Sequence, residues 1–201
     1  MNKRILSGSL AVSILLLLYS CSAKKISSDY YYQHKEVLEK IEQSYTELYP
    51  KKPFTLAFTD KEFRTVSIEI ITDSLSYIYD FAVHEPRLTD TLRKYHLNAE
   101  GVSNLIDLMV SIRCTWVNNF DYYVDQQKKY LVLISIKPVG LHSLFSSKKY
   151  YILTFYNKPQ YFDEQGRLLD KKKRRRLRKI NGEVFHRIND KVCYTISGQF
   201  R

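Results

Sequence analysis

Apolar positions recur along the chain at two spacings, and the changes between them mark out its elements. Between Asp29 and Tyr49, Val37, Leu38, Ile41, Tyr45 and Leu48 return every three or four residues, the period of a helix with one apolar face. Ser28 or Asp29 supplies its cap, and Pro50 and Pro53 end it. From Phe54 the period falls to two. Phe54, Leu56 and Phe58, then Val66, Ile68 and Ile70, alternate with polar or small residues and predict a half-buried hairpin. After Thr72-Asp73-Ser74 a third strand puts Leu75, Tyr77, Tyr79 and Phe81 on one face. At this spacing those four read as core, and on an open face they would form a platform for sugar stacking. Three such strands form a meander whose apolar face needs a cover.

The cover comes next in the sequence. A short helix is predicted over 89–96, and Asn98 caps a longer one whose Val102, Leu105, Ile106, Met109 and Ile112 share a side widened by Leu108. Extended structure resumes after Cys114-Thr115-Trp116, with a break expected at Asn118-Asn119. The nearly continuous apolar run from Tyr130 to Ile136, stopped by Pro138, fits a central strand. Lys149–Tyr156 is another strand, 161–168 a hairpin with its tip at Glu164–Gly166, and 184–196 a last hairpin around Asn189-Asp190-Lys191. The sequence shows no internal repeat. The class is α+β: a mostly antiparallel sheet of about six to eight strands, an N-terminal helix and a central buried helix.

The N-terminus follows different rules. Lys3-Arg4 precede an apolar segment, Ile5 to Leu18, that ends on Leu18-Tyr19-Ser20-Cys21. Positive, then apolar, then small residues is the layout of a cleaved secretory signal. At 14 residues the segment falls short of the roughly 20 needed to span a bilayer. Its closing tetrapeptide resembles the lipobox of bacterial lipoproteins, departing from it at Tyr19. That resemblance implies cleavage between Ser20 and Cys21, a diacylglycerol thioether on Cys21 and an acylated amino group, with membrane attachment through the acyl chains. Residues 1–20 then form a signal peptide, 21–28 a tether and 29–201 a single domain. By the sorting rule of the Gram-negative lipoproteins that this leader resembles, Ser22 rather than Asp after the lipidated cysteine implies the outer membrane, and a tether without an acidic run implies a domain facing the periplasm.

Charge narrows the partners. The whole chain has 32 basic and 21 acidic residues, net +11, and cleavage removes only Lys3 and Arg4, leaving +9. Such a balance favours polyanions or membrane surfaces. Most of the excess sits in Lys171-Lys172-Lys173-Arg174-Arg175-Arg176-Leu177-Arg178-Lys179. Asp170 and Asn181-Gly182 could bound a helix here, yet like charges four residues apart each destabilise it by roughly 0.2 to 0.5 kcal/mol. A bound anionic lipid, glycan or other envelope polyanion would relieve that repulsion, as would salt around a solvated surface segment. Export argues against nucleic acid as a partner.

Catalytic templates are scarce. The chain has no Gly-x-Ser-x-Gly, no His-Glu-x-x-His, no glycine-rich phosphate loop and no Cys-x-x-Cys, and the spacings imply neither metal nor cofactor. With Cys21 lipidated, Cys114 and Cys193 remain, either as a disulfide in an oxidising compartment or as two buried thiols. Cys114 ahead of His142 or His186 has the order of a cysteine hydrolase, although the end of an apolar helix raises a thiol pKa. Asp80, His84 and Glu85 could gather as an acid/base cluster, or serve as ordinary turn residues. Asp121 and Asp125, if helical, would share a face. The expectation is a non-catalytic, lipid-anchored binding protein, with an envelope cysteine hydrolase as the alternative.

Overall fold

The computed structural model describes residues 23–124, 127–138, 149–171, 173–180 and 182–198. Ser20 and Cys21 lie outside these. Helix is already present at residue 23 and runs to residue 33 (α1); after a break at His34 it continues as α2, Lys35–Leu48. Then follow β1 (Phe54–Phe58), β2 (Thr65–Ile71), β3 (Ser76–Ala82), α3 (Pro86–Lys94), α4 (Ala99–Ser111), β4 (Trp116–Val124), β5 (Gln127–Pro138) and β6 (Tyr150–Phe155). The chain closes with the short strands β7 (Lys179–Ile180), β8 (Glu183–Val184) and β9 (His186–Arg187), and with β10 (Val192–Ser197).

Eight strands form one antiparallel sheet in the order β3-β2-β1-β4-β5-β6-β10-β9. The sequence class, α+β with a mainly antiparallel sheet, is the fold observed. Two helix pairs each lead into a three-stranded meander, and the first strands of the two meanders, β1 and β4, pair at the centre with Leu56 opposite Val117. The architecture therefore repeats although the sequence does not.

Strand alternation sends Phe54, Leu56, Ile68, Ile70, Val117, Ile134, Leu153 and Tyr194 to one face, where they pack with Leu38, Ile41, Tyr45, Val102, Leu105 and Met109 of α2 and α4. Asn98 caps α4 as expected, accepting the Gly101 N–H at 3.0 Å. Tyrosine hydroxyls tie the helices to the chain beneath: Tyr45 donates to the Phe54 carbonyl at 2.6 Å, and Tyr30 to the Ile112 carbonyl at 2.7 Å. The opposite face carries a second core of Trp116, Leu131, Leu133, Ile152 and Cys193, closed by Leu168, Ile180 and Phe185.

Three expectations need correction. The stretch 23–28 is helix rather than tether, with Ala23 and Ser27 buried. No break occurs at Asn118-Asn119: β4 runs through both, paired with Leu133 and Val132. On β3 only Phe81 is buried, because this strand is the rim of the sheet, and Leu75 and Tyr77 are exposed.

The Tyr45 hydroxyl satisfies the Phe54 carbonyl inside the core. Tyr45→Phe is expected to lower stability by about 1–3 kcal/mol, read as a lower urea midpoint with an unchanged slope.

Candidate functional site

The basic run sits in the segment that covers the second face of the sheet. Between β6 and β10 the described residues form no helix, so backbone groups find partners one at a time. Asp163 closes the first turn, its carboxylate accepting the Arg167 N–H at 2.7 Å and pairing with the Arg167 guanidinium at 2.7 Å. Gly166 reaches φ 73° there, a conformation glycine adopts at little cost. Leu168 then turns inward, its N–H bound to the Phe185 carbonyl at 2.8 Å and its carbonyl accepting the Arg178 N–H at 2.9 Å.

That last bond defines the geometry of the run. Leu169 bridges Leu177, and the Asp170 N–H meets the Arg176 carbonyl at 2.8 Å. The Asp170 carboxylate caps the tip by accepting the Lys173 N–H at 3.1 Å. The helix that Asp170 could have begun does not form. A hairpin places successive cations on diverging sides of a turn, whereas a helix stacks them at four-residue spacing. Fully buried Leu168 and Phe185, with nearly buried Ile180, peg both ends of this hairpin into the second core.

The side chains follow the backbone outward. Lys171, Lys173, Arg174, Arg175, Arg176 and Lys179 are exposed, and none of the six takes part in an ion pair among the described residues; Lys172 lies outside them. The Arg174 guanidinium lies 4.2 Å above the Tyr161 ring, and Arg178 lies 5.9 Å above Tyr156 while donating to Gln160 at 3.3 Å. An aromatic support holds a guanidinium in place without neutralising it.

The remaining candidates scatter. Cys114 and Cys193 are free, buried thiols in different cores. Cys193 shares a lateral row with Thr154, Leu133 and Asn118, three strand spacings or about 14 Å across. Cys114 lies four residues before Asn118, so the two cannot bond, since a disulfide requires Cα atoms within about 7 Å. His186, on the rim strand β9, is four strand spacings from β4, about 19 Å, and stacks on Tyr194. It is not a base for Cys114. His142 lies outside the described residues. Burial pushes the Cys114 thiol far up, and lifts Cys193 to about 12 against smaller opposing effects of Arg178 and Arg187. Neither has the depressed pKa of a nucleophile.

The 80–85 cluster also dissolves. His84 pairs with Asp107 at 3.4 Å, and Glu85 with Arg87 and the Ala82 N–H. Asp121 lies on a strand rather than a helix, opposite Tyr130, and Asp125 is outside the described residues. Among the described residues no group of three potential metal ligands forms, and no helix is long and apolar enough to cross a membrane.

Two surface grooves had no sequence signal, because their walls come from distant segments. One, of about 660 Å³, runs between α1–α2 and the β6 and β10 ends, with Tyr31, Lys35, Glu39, Glu42 and Lys191 in its walls. Burial, reinforced by Glu39, raises the Glu42 carboxyl above its usual range, against a Thr46 hydrogen bond and Lys191. The other, of about 420 Å³, gathers Lys51, Lys52, Arg93 and His96 at the start of α4. Neither is lined by a nucleophile paired with a base. No family model, curated protein or solved structure matches the chain.

Both thiols are expected to resist alkylation in the folded chain and to react at once in urea. The sign of their effect on stability follows. Burial lifts the folded Cys193 thiol from the ordinary 9.0 to about 12, so the stability due to burying it is complete below pH 9 and lost as pH rises from 9 to 12. Cys193→Ala is expected to make the fall between pH 8 and pH 10 shallower by on the order of 1 kcal/mol, measured from urea midpoints.

Proposed function

We propose that the chain is a lipid-anchored protein of the cell envelope, attached through Cys21, whose domain is non-catalytic and binds a polyanionic envelope component through the 171–179 hairpin. The observation that carries this reading is the set of six exposed cations on one pegged turn without ion-pair partners among the described residues. A patch meant only for solubility needs no fixed shape. Here two buried side chains and a capped tip hold the charges together, which costs electrostatic free energy that an anion recovers. Arg174, supported on Tyr161, can present the donor edge of its guanidinium to phosphate, sulfate or carboxylate.

The hydrolase reading finds no support in Cys114, which is fully buried with its thiol held neutral. The lipid anchor rests on the tetrapeptide ending at Cys21 and on the apolar leader before it.

Two measurements test the proposal. Mass spectrometry of the mature N-terminus is expected to find a chain beginning at Cys21 with diacylglyceryl and acyl additions; an unmodified terminus removes the anchor. Replacing Lys173, Arg174, Arg175 and Arg176 together by Gln is expected to advance elution from immobilised heparin. It should also cut the slope of log affinity against log salt by up to about four, with the chain still folded and its stability within about 2 kcal/mol of the parent, at about 0.5 kcal/mol for each surface change. Unchanged elution removes the hairpin from binding.

A further inference from the structure

Among the described residues no further strand pairs with the long rim of the sheet. At one end of the strand order β9 has only two residues, while at the other β3 has seven. The Val83 N–H donates to the carbonyl of Arg64, the residue just before β2, at 2.8 Å. By antiparallel alternation, odd-numbered residues of β3 turn their backbone groups toward β2, and Ser76, Ile78, Asp80 and Ala82 turn theirs outward. Ala82 is closed off, its N–H bound by the Glu85 carboxylate at 3.0 Å and its carbonyl by the Glu85 N–H at 3.0 Å. Ser76, Ile78 and Asp80 have no partner on that side among the described residues.

Side-chain exposure concentrates at the same place. Of the five large apolar residues exposed among the described residues, three, Leu75 (58%), Ile78 (56%) and Tyr77 (37%), lie on or beside this rim, and Tyr32 and Tyr161 lie elsewhere. An open strand flanked by exposed apolar side chains is a template for another strand.

We propose that the β3 rim pairs with the β3 rim of a second copy of this chain, antiparallel about Ile78, joining two eight-stranded sheets into one. The Ile78-centred register is the one that satisfies all three open residues; centring on Tyr77 or Tyr79 pairs only two of them with each other. Centring on Ile78 sets Ile78 against Ile78 and Ser76 against Asp80, with two N–H···O bonds in each of the pairs Ser76–Asp80, Ile78–Ile78 and Asp80–Ser76. On the helix-covered face Tyr77 falls opposite Tyr79, an aromatic cross-strand pair, and on the other face the two Ile78 side chains meet. Centring on Asp80 would oppose two carboxylates and spend Ala82 on a partner it cannot bond. Centring on Ser76 would need Ser74, which sits in the turn closed by the Thr72 N–H to the Leu75 carbonyl at 2.9 Å.

Charge permits this occupant. The rim carries Asp73 and Asp80, Glu85 is paired with Arg87, and the basic hairpin covers the other half of the sheet. Two strongly basic chains can therefore meet here, with their basic hairpins at opposite extremes of the joined sheet.

The test uses the full chain carrying Cys21→Ser, in a non-ionic detergent, so that only an introduced thiol is accessible. Ile78→Cys is expected to form an interchain disulfide under mild oxidation, because symmetry brings its two Cα atoms to about 5.5 Å. Ser76→Cys and Asp80→Cys are expected not to, each facing the other residue rather than itself. Sedimentation equilibrium of the chain carrying only Cys21→Ser is expected to show a monomer–dimer equilibrium. In the same background, Ile78→Pro and Ile78→Lys should each weaken it by at least about tenfold. Ile78→Pro leaves the β2 ladder intact, since the lost N–H faces outward. A monomer at every concentration, equal crosslinking at all three positions, or a dimer indifferent to both Ile78 variants overturns the proposal.

Discussion

Six consecutive residues of β5, Leu131 to Ile136, are buried, and the rest of the structure answers to that fact. Successive side chains of a strand point to opposite faces, so an uninterrupted buried run is dry on both sides and needs two covers. Helices α1, α2 and α4 supply one. Among the described residues no helix supplies the other, and the stretch between β6 and β10 does so as irregular chain. Irregular chain laid on an apolar surface must satisfy its backbone without a regular ladder. The bonds from Leu168 to Phe185 and Arg178, and from Asp170 to Arg176, meet that requirement. The basic hairpin is thus the outer side of a core-closing device.

The meeting of the two meanders at β1 and β4 decides where the sheet stops. Pairing first strands with each other sends the last strands outward. The second meander is extended by β10 and a token β9, while the first ends abruptly at β3. Helix α3 and Tyr95 protect only one side of that strand, through the Tyr79 to Tyr95 hydroxyl contact at 2.6 Å.

Much of this was legible in the sequence. The α4 helix, its Asn98 cap and the three-strand meander follow from local periods and one side-chain hydrogen bond, all of which operate over a few residues. What alternation does not carry is a strand's place in the sheet: Tyr77 and Tyr79 keep the spacing of Phe81, yet only Phe81 is buried. Asn118-Asn119 reads as a break because asparagine favours turns, but the long β5 strand offers a complete ladder and overrides that preference. The basic run was visible as charge. Its hairpin was not, because one end is held by Phe185, which lies beyond the run and reaches it only through the second core and the Leu168 bond. The cationic groove of Lys51, Lys52, Arg93 and His96 joins two distant stretches of chain, which no local pattern announces.

The helix that replaces the expected tether has a consequence of reach. A flexible leash of eight residues would let a domain explore roughly 16 Å around its anchor. Here Ala23 is already packed in the core, and only one residue, Ser22, separates it from Cys21. Two residues of fully extended chain span at most about 7 Å, less than half that reach. A lipid on that cysteine would hold the domain at the bilayer like a foot rather than a mooring line, and its working radius would be the size of the domain itself.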